Sequence, residues 1–304
     1  MTDLLKEIQD NLNRGFTKKA MSITCLPAEY PAWTVKQENW VGVVIPMKKY
    51  LEFSEDFANA HILCVEELEI TGKPMSALLL TCDDIKLRNS FATICEQFVD
   101  PGDNGENRKK LTGNPEEWWK EWKDLLGNKS TNQEAYSTIG ELLVLERLLQ
   151  KGETAKWGGP AGAVHDIECL DKSFEVKSTT QRYGYNVEIS SVYQMDPAGR
   201  PLNLAFCRFE ESSEGKTLNE IVNEVATLGY PIDEIERELK RKGLGKGKTA
   251  RKIRYKLLEM KVFPVNELFP AITPASFAGG GIPSGVIKFR YEINLDGLDF
   301  SNEP

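Results

Sequence analysis

The stretch Val164-His-Asp-Ile-Glu-Cys-Leu-Asp-Lys-Ser-Phe-Glu-Val-Lys177 alternates polar and apolar residues and predicts a β-hairpin at the centre of the fold. With a turn at residues 171–172, Asp166 faces Lys177, and Glu175 lies on the same side of the hairpin. One face is then charged and the other apolar. A slip by one residue would expose the apolar face to water, so the pattern itself favours this pairing.

The charged face of this hairpin admits two interpretations. Any half-solvated antiparallel hairpin alternates in this way without having a function. However, carboxylates as close as Asp166 and Glu175 repel each other unless a cation or a pKa shift relieves the repulsion. Mg²⁺ or Mn²⁺, hard cations that prefer oxygen ligands, would provide this relief. The second interpretation therefore predicts a divalent-metal site beside Lys177.

The elements around the hairpin predict a mixed α/β core. A capping box at residues 131–134, a helical repeat of apolar residues and Gly152 predict a helix over 132–150. On this helix Glu141 lies near the apolar side and either reaches toward the charged face or remains solvated. Alternating or apolar runs over 186–191 and 202–210 predict a third and a fourth strand.

The order of these groups resembles the PD-(D/E)XK nuclease superfamily, in which a helix glutamate precedes an aspartate and a Glu-x-Lys motif on adjacent strands. The corresponding residues here are Glu141, Asp166, Glu175 and Lys177. Most of the chain also resembles the PD-(D/E)XK motif proteins of bacterial restriction-like anti-phage loci, notably in the stretches 187–194 and 263–270. His165 stands where the superfamily's name has proline, a position that varies widely in that superfamily.

The resemblance implies a fold and a chemistry. The expected fold is α/β (α+β), with a restriction-endonuclease-like core of mixed β-sheet flanked by helices. The expected activity is hydrolysis of DNA phosphodiester bonds with Mg²⁺ or Mn²⁺, held by Asp166, Glu175 and the carbonyl of Val176. Lys177 would position or activate the attacking water and offset charge in the transition state, which agrees with the needs of the reaction.

Two further residues receive roles from the same resemblance. Glu141 would be an outer or second-metal ligand, and Gln194 would orient water or substrate. A rival hypothesis is a subunit with this fold that binds nucleic acid or a partner without autonomous cleavage. RNA remains an alternative substrate, because the hairpin is suited to phosphodiester chemistry and does not identify the sugar.

Charge is distributed unevenly along the chain. The net charge is −8, but residues 237–261 contain eleven Lys or Arg against two Glu, a local charge of +9. A solvated helix and loop would account for such a segment, and so would a nucleic-acid contact. The second interpretation assigns DNA binding to Lys240, Arg241, Lys242, Lys246, Lys248, Arg251, Lys252 and Arg254.

Other functional classes are disfavoured by the residue types present. Two histidines and the absence of any Cys-x-x-Cys motif argue against a structural zinc site. Six cysteines, mostly within apolar runs, are typical of reduced core residues. Gly245-Lys-Gly-Lys-Thr249 lacks the first glycine of a phosphate-binding P-loop. No apolar run approaches a membrane span, and we expect a cytoplasmic protein.

The chain is long enough for two domains. Short apolar runs predict a smaller, β-rich or α+β accessory domain over 1–110, and the polar linker 100–107 precedes a nuclease-like domain over 111–304. The second domain is expected to end in a basic helical segment and a long terminal strand over 285–295. Expected partners are DNA, other defence-system proteins and a second copy of the chain in a homodimer.

Overall fold

The computed structural model describes residues 2–14, 19–70, 72, 74–125, 135–158, 164–197, 199–278, 280–286 and 288–304. Its backbone separates into two compact units. The first comprises Met1–Thr131 and Lys246–Thr249, and the second comprises Asn132–Gly245 and Ala250–Pro304. The boundary expected near residue 110 lies before a tryptophan-containing helix that packs with the first unit.

The first unit is built on a six-stranded antiparallel sheet with the order β1-β2-β3-β6-β5-β4. Its strands are β1 (Lys19–Ser22), β2 (Trp33–Lys36), β3 (Val41–Pro46), β4 (Ser54–Phe57), β5 (Ala60–Glu69) and β6 (Pro74–Cys82). Its helices are α1 (Asp3–Asn13), α2 (Arg88–Val99), α3 (Glu106–Gly113) and α4 (Pro115–Leu125). The sheet and these helices make the first unit α+β, one of the two arrangements expected for the N-terminal part.

The tryptophans of α4 contribute to the core of this unit. Trp119 is buried, and Trp118 stacks on it with ring centroids 6.4 Å apart. Phe98 and Trp118 form an edge-to-face pair with ring centroids 5.5 Å apart. Aromatic rings packed in this way bury a large apolar area. These side chains are therefore structural.

The second unit contains the mixed sheet expected from the sequence, with the order β12-β11-β9-β8-β7. Only β9 and β11 are parallel, and the other neighbours are antiparallel. The strands are β7 (Ala155–Trp157), β8 (Ile167–Cys169), β9 (Ser173–Thr179), β11 (Leu202–Lys216) and β12 (Tyr255–Pro264). The helices are α5 (Ala135–Gln150), α6 (Leu218–Thr227) and α7 (Ile232–Arg241).

Helix α5 confirms most of the predicted helix 132–150, although its predicted capping box at 131–134 lies outside the described residues. Its apolar residues share a core with the inward residues of β8, β9 and β11. Gly140 lets the helix approach β9 closely, since a Cβ there would lie 2.2 Å from Ser178 Oγ. None of the helices in the described ranges combines the length and apolar character that a bilayer crossing requires.

Three predictions about strands are corrected. The segment 186–191 forms β10 (Asn186–Ile189), which pairs with β13 (Tyr291–Asn294) in a separate two-stranded sheet rather than joining the core. The expected long terminal strand is confined to β13. The basic segment is α-helical only at its start; it continues through a short 3-10 helix (Thr249–Lys252) into β12, which pairs along β11.

The register of the central hairpin also differs from the prediction. Ile167 lies opposite Phe174, two residues away from the expected partner. The N–H of Cys169 donates to the carbonyl of Lys172 at 2.8 Å, which centres the turn one residue earlier than predicted. Because side chains alternate with a period of two, a two-residue shift changes the partners but keeps each side chain on its predicted face.

Candidate active site

Strand β9 places two functional side chains on one face of the sheet. Glu175 and Lys177 are two residues apart, so they point to the same side, whereas Phe174 and Val176 point into the core on the other side. Lys177 Nζ lies 2.9 Å from Glu175 Oε1. Glu175 is buried, and its strand lies inside the sheet, between β8 and β11.

Asp166 is held against β9 by a backbone contact. It immediately precedes β8, and its Oδ2 accepts a hydrogen bond of 2.8 Å from the N–H of Val176. The peptide of Val176 lies between Glu175 and Lys177 in the chain. The hairpin therefore brings the Asp166 carboxylate, the Val176 peptide and the Glu-x-Lys pair together.

Gln194 fixes the second carboxylate from a loop that follows β10. Its Nε2 donates to Glu175 Oε1 at 2.7 Å, and its Oε1 accepts bonds from Ser190 N and Oγ at 2.8 and 3.1 Å. With its amide oxygen occupied by two donors, Gln194 presents its NH₂ group to the carboxylate. This residue orients Glu175, and the sequence had placed it near the site only by resemblance.

Glu141 projects from α5 into a different set of contacts. Its two carboxylate oxygens each lie 2.7 Å from Lys242 Nζ, and Trp157 Nε1 donates to Oε2 at 2.7 Å. Lys242 also lies over the Trp157 ring, 5.6 Å from its centroid. The sequence assigned Lys242 to DNA binding and gave no signal that its partner would be a buried carboxylate 101 residues away.

The three carboxylates perturb one another. Burial, followed by the negative charge of Asp166, raises the pKa of Glu175 to about 8, although Lys177 opposes the shift. Burial and Asp166 also raise the pKa of Glu141 against the opposing effect of Lys242. The pKa of Asp166 is raised by burial, and its bond from Val176 N opposes that. The site thus crowds carboxyl groups in a poorly hydrated environment, which disfavours their ionised forms unless a cation compensates.

The donor atoms fit a hard divalent cation. Within the described ranges, no three His, Cys, Asp or Glu side chains converge as a set of metal ligands. Two crowded carboxylates, Asp166 and Glu175, lie beside the backbone of Val176, and the carbonyl of that residue would be a third oxygen ligand. Mg²⁺ commonly takes only one or two protein carboxylates and keeps water as its other ligands. This donor set is suited to such an ion, with Lys177 adjacent to it.

The family model described as "Putative PD-(D/E)XK family member" (DUF4420) matches residues 31–296, which include every residue of this site. The chain belongs to the DUF4420 family. The suspected superfamily is thereby confirmed, and the mixed sheet with flanking helices agrees with a nuclease-like fold. No curated protein and no solved structure matches the chain.

His165, the residue before the aspartate, is buried. Its Nε2 has no hydrogen-bond partner among the described residues, and burial lowers the pKa of the ring. A neutral imidazole is therefore expected at neutral pH. At the position where the superfamily's name has proline, this DUF4420 member therefore has a buried, uncharged histidine side chain.

The basic residues proposed for DNA binding differ in their exposure and in the groups that they contact. Arg251 is buried within the second unit, and Lys242 is occupied by Glu141. The loop containing Lys246 and Lys248 packs with the first unit, where Lys248 pairs with Asp56. Of the proposed residues in the second unit, Lys240, Arg241, Lys252 and Arg254 are exposed.

Proposed function

We propose that this chain is a Mg²⁺- or Mn²⁺-dependent DNA endonuclease of the PD-(D/E)XK type. One observation carries the proposal: the hairpin brings Asp166, Glu175 and Lys177 together around the Val176 peptide. The match to the DUF4420 family, which covers the whole site, supports the same assignment. A bacterial restriction-like or anti-phage setting, in the cytoplasm, is the context that the sequence resemblance suggests.

The proposed roles follow from the contacts. Asp166, Glu175 and the carbonyl of Val176 would hold the cation, which supplies charge neutralisation at the phosphate and lowers the pKa of bound water. Gln194 keeps Glu175 in one orientation through its 2.7 Å bond. Lys177, fixed by Glu175, offers an ammonium group to the attacking water and to the developing negative charge.

Exposed cations of the second unit would bind the DNA backbone. Arg241 and Arg254 form ion pairs with Glu238 and Glu220, but both arginines remain exposed. The Arg254–Glu220 pair is exposed on both sides and contributes only about 0–1 kcal/mol, so a phosphate can compete with that carboxylate, whereas the Glu238 partner of Arg241 is buried. Lys240 adds a further exposed charge at the end of α7. These contacts would position DNA without reading its sequence.

Cleavage of supercoiled plasmid tests the proposal. The wild type is expected to nick or linearise the plasmid in Mg²⁺ or Mn²⁺ but not in EDTA. Asp166→Ala and Lys177→Ala should each lower the rate by at least about 100-fold, since each loses a charged group that acts in the transition state. Lys156→Ala, which removes an exposed lysine from β7 of the same sheet, should retain the wild-type rate.

The controls decide between outcomes. Calorimetry of each variant must show a wild-type unfolding transition, so that lost activity reflects chemistry rather than folding. Undiminished cleavage by the Asp166→Ala/Lys177→Ala double variant would refute the proposed site. A parallel assay on single-stranded RNA distinguishes the two phosphodiester substrates.

One observation favours a second candidate, a nucleic-acid-binding or partner-binding subunit without autonomous cleavage. Asp166, Glu175 and Glu141 each accept a hydrogen bond from a protein donor. Within the described residues, these carboxylates do not converge as a set of three metal ligands. Tight binding of DNA without turnover, in metal and in the presence of the proteins encoded beside this one, would support that candidate.

A further inference from the structure

Protein donors occupy three of the four acceptor positions of the Glu141 carboxylate. Its Oε2 accepts bonds from both Lys242 Nζ and Trp157 Nε1, while its Oε1 accepts from Lys242. All of these distances are 2.7 Å, and the carboxylate is buried. A carboxylate oxygen has two favourable acceptor directions, so Oε2 has none left for a metal ion.

The C-terminal end of α7 holds Lys242 in this position. Leu244 N donates to Leu239 O at 2.8 Å and Gly243 N to Lys240 O at 3.1 Å, with Gly243 at φ +74°. These two bonds form a Schellman motif. Lys242 is the C-cap residue of α7, and Gly243 after it adopts the left-handed conformation. Leu239 and Leu244, which flank the motif, are both buried in the core of the second unit.

The surroundings of the ammonium group also fix it in place. The Lys242 side chain is 18% exposed, so most of it is removed from water. The Trp157 ring lies beneath the charge at 5.6 Å and attracts it through its π face. Displacing this ammonium group would cost free energy, because the group would lose its paired carboxylate and the indole ring. It would then remain unpaired inside the protein or have to move into water.

We propose that Lys242 is the permanent counter-cation of Glu141 and restricts the site to one divalent cation, held by Asp166, Glu175 and Val176. This inference rests on the proposed function. A second cation on Glu141 would have to displace Lys242 or lie beside its positive charge at the same carboxylate. Glu141 would thus be a positioning residue that anchors α7 and Trp157, and not a ligand.

Counting bound Mn²⁺ in the absence of DNA tests this assignment. Isothermal titration calorimetry and the electron paramagnetic resonance of free Mn²⁺ both give the number of ions per chain. The wild type should bind one ion. Lys242→Met, which removes the charge but keeps much of the side-chain length, should open Glu141 and bind two. Arg237→Met, which removes an exposed cation of α7 that has no proposed role, should still bind one.

A paired variant covers the case in which Lys242→Met does not fold. Glu141→Gln/Lys242→Met removes both charges together, a change that buried ion pairs usually tolerate. It should bind one Mn²⁺ with an affinity within about threefold of wild type, because neither group is a ligand. Loss of an outer metal ligand or its support commonly weakens binding 10–100-fold.

The outcomes separate this inference from the proposed function. Two ions on the wild type, one ion on folded Lys242→Met, or a tenfold loss of affinity in the paired variant would each overturn the role given to Lys242 while leaving the metal site in place. If the wild type binds no Mn²⁺, the proposed metal-dependent function fails, and the inference that depends on it fails as well.

Discussion

Replacing Arg251 by methionine should strongly destabilise the second unit, although the sequence alone suggested that Arg251 contacts DNA. Its two terminal nitrogens donate to both carboxylate oxygens of Glu236 at 2.7 and 2.8 Å. Its Nε donates to Asn219 Oδ1 at 2.7 Å, and Nη1 also reaches the carbonyl of Leu244 at 3.3 Å. Arg251 is only 3% exposed, so this group connects α6, α7 and the following turn rather than facing solvent.

The magnitude follows from burial. Removing one partner of a buried ion pair typically costs about 3–5 kcal/mol, because the remaining charge is left without compensation. The Glu236 side chain is 16% exposed and keeps some hydration, so we expect about 3 kcal/mol. In a unit of this size, each kcal/mol lowers the Tm by roughly 2–4 °C, which gives a decrease of roughly 6–12 °C.

Differential scanning calorimetry measures the shift, with two variants for comparison. Lys252→Met changes the exposed neighbouring residue and should move the Tm by no more than about 2 °C, which corresponds to ordinary surface substitutions. Arg251→Met/Glu236→Met removes both charges and should recover most of the loss, since no unpaired charge remains.

DNA affinity completes the test. At a temperature where Arg251→Met is folded, fluorescence anisotropy should show wild-type affinity for a DNA duplex. The reasoning is refuted if Arg251→Met unfolds within about 1 °C of wild type and binds DNA at least tenfold more weakly. That result would make Arg251 a solvated phosphate contact, as its position in a basic segment suggested.

Two further predictions concern a histidine in the first unit and the support of Glu175. Hydrogen bonding to Asp56 and then Asp83 raises the pKa of His61 above its ordinary value near 6.5, against the effect of burial. The resulting stabilisation, about 1 kcal/mol, should be complete below pH 6.5 and disappear as the pH rises through the raised pKa. The Tm difference between wild type and His61→Gln should therefore shrink from pH 6 to pH 8.5, and a constant difference would contradict this. Gln194→Ala should weaken Mn²⁺ binding roughly 10–100-fold by freeing Glu175, measured by titration calorimetry; unchanged affinity would show that Lys177 suffices to orient it.

Much of the candidate site could be predicted from local patterns. Alternation over 164–177 identified the face shared by Glu175 and Lys177, and the error in register did not matter because it was an even number of residues. The apolar repeat of α5 likewise placed Glu141 on a helix beside the core. Such periodicities determine which side chains lie inward once an element packs.

Partner choice could not be predicted in the same way. Strand β9 lies parallel to β11, which begins more than twenty residues later, while the intervening β10 pairs with β13 near the end of the chain. A strand's sequence shows that it will pair, but its neighbours depend on which arrangement buries the most apolar surface. The predicted third strand failed for this reason.

By itself, the sequence determined which functional groups are present and on which face of the hairpin each side chain lies. Two carboxylates and a lysine share one face, and apolar residues form the other. Only the tertiary structure decided which charges meet. Lys242 binds Glu141 and Arg251 binds Glu236, whereas Lys240 at the end of the same helix remains exposed. The physical reason is that the sequence shows which residues carry a charge but not which of them become buried. A charge that is removed from water must be paired within the fold, so burial determines its partner.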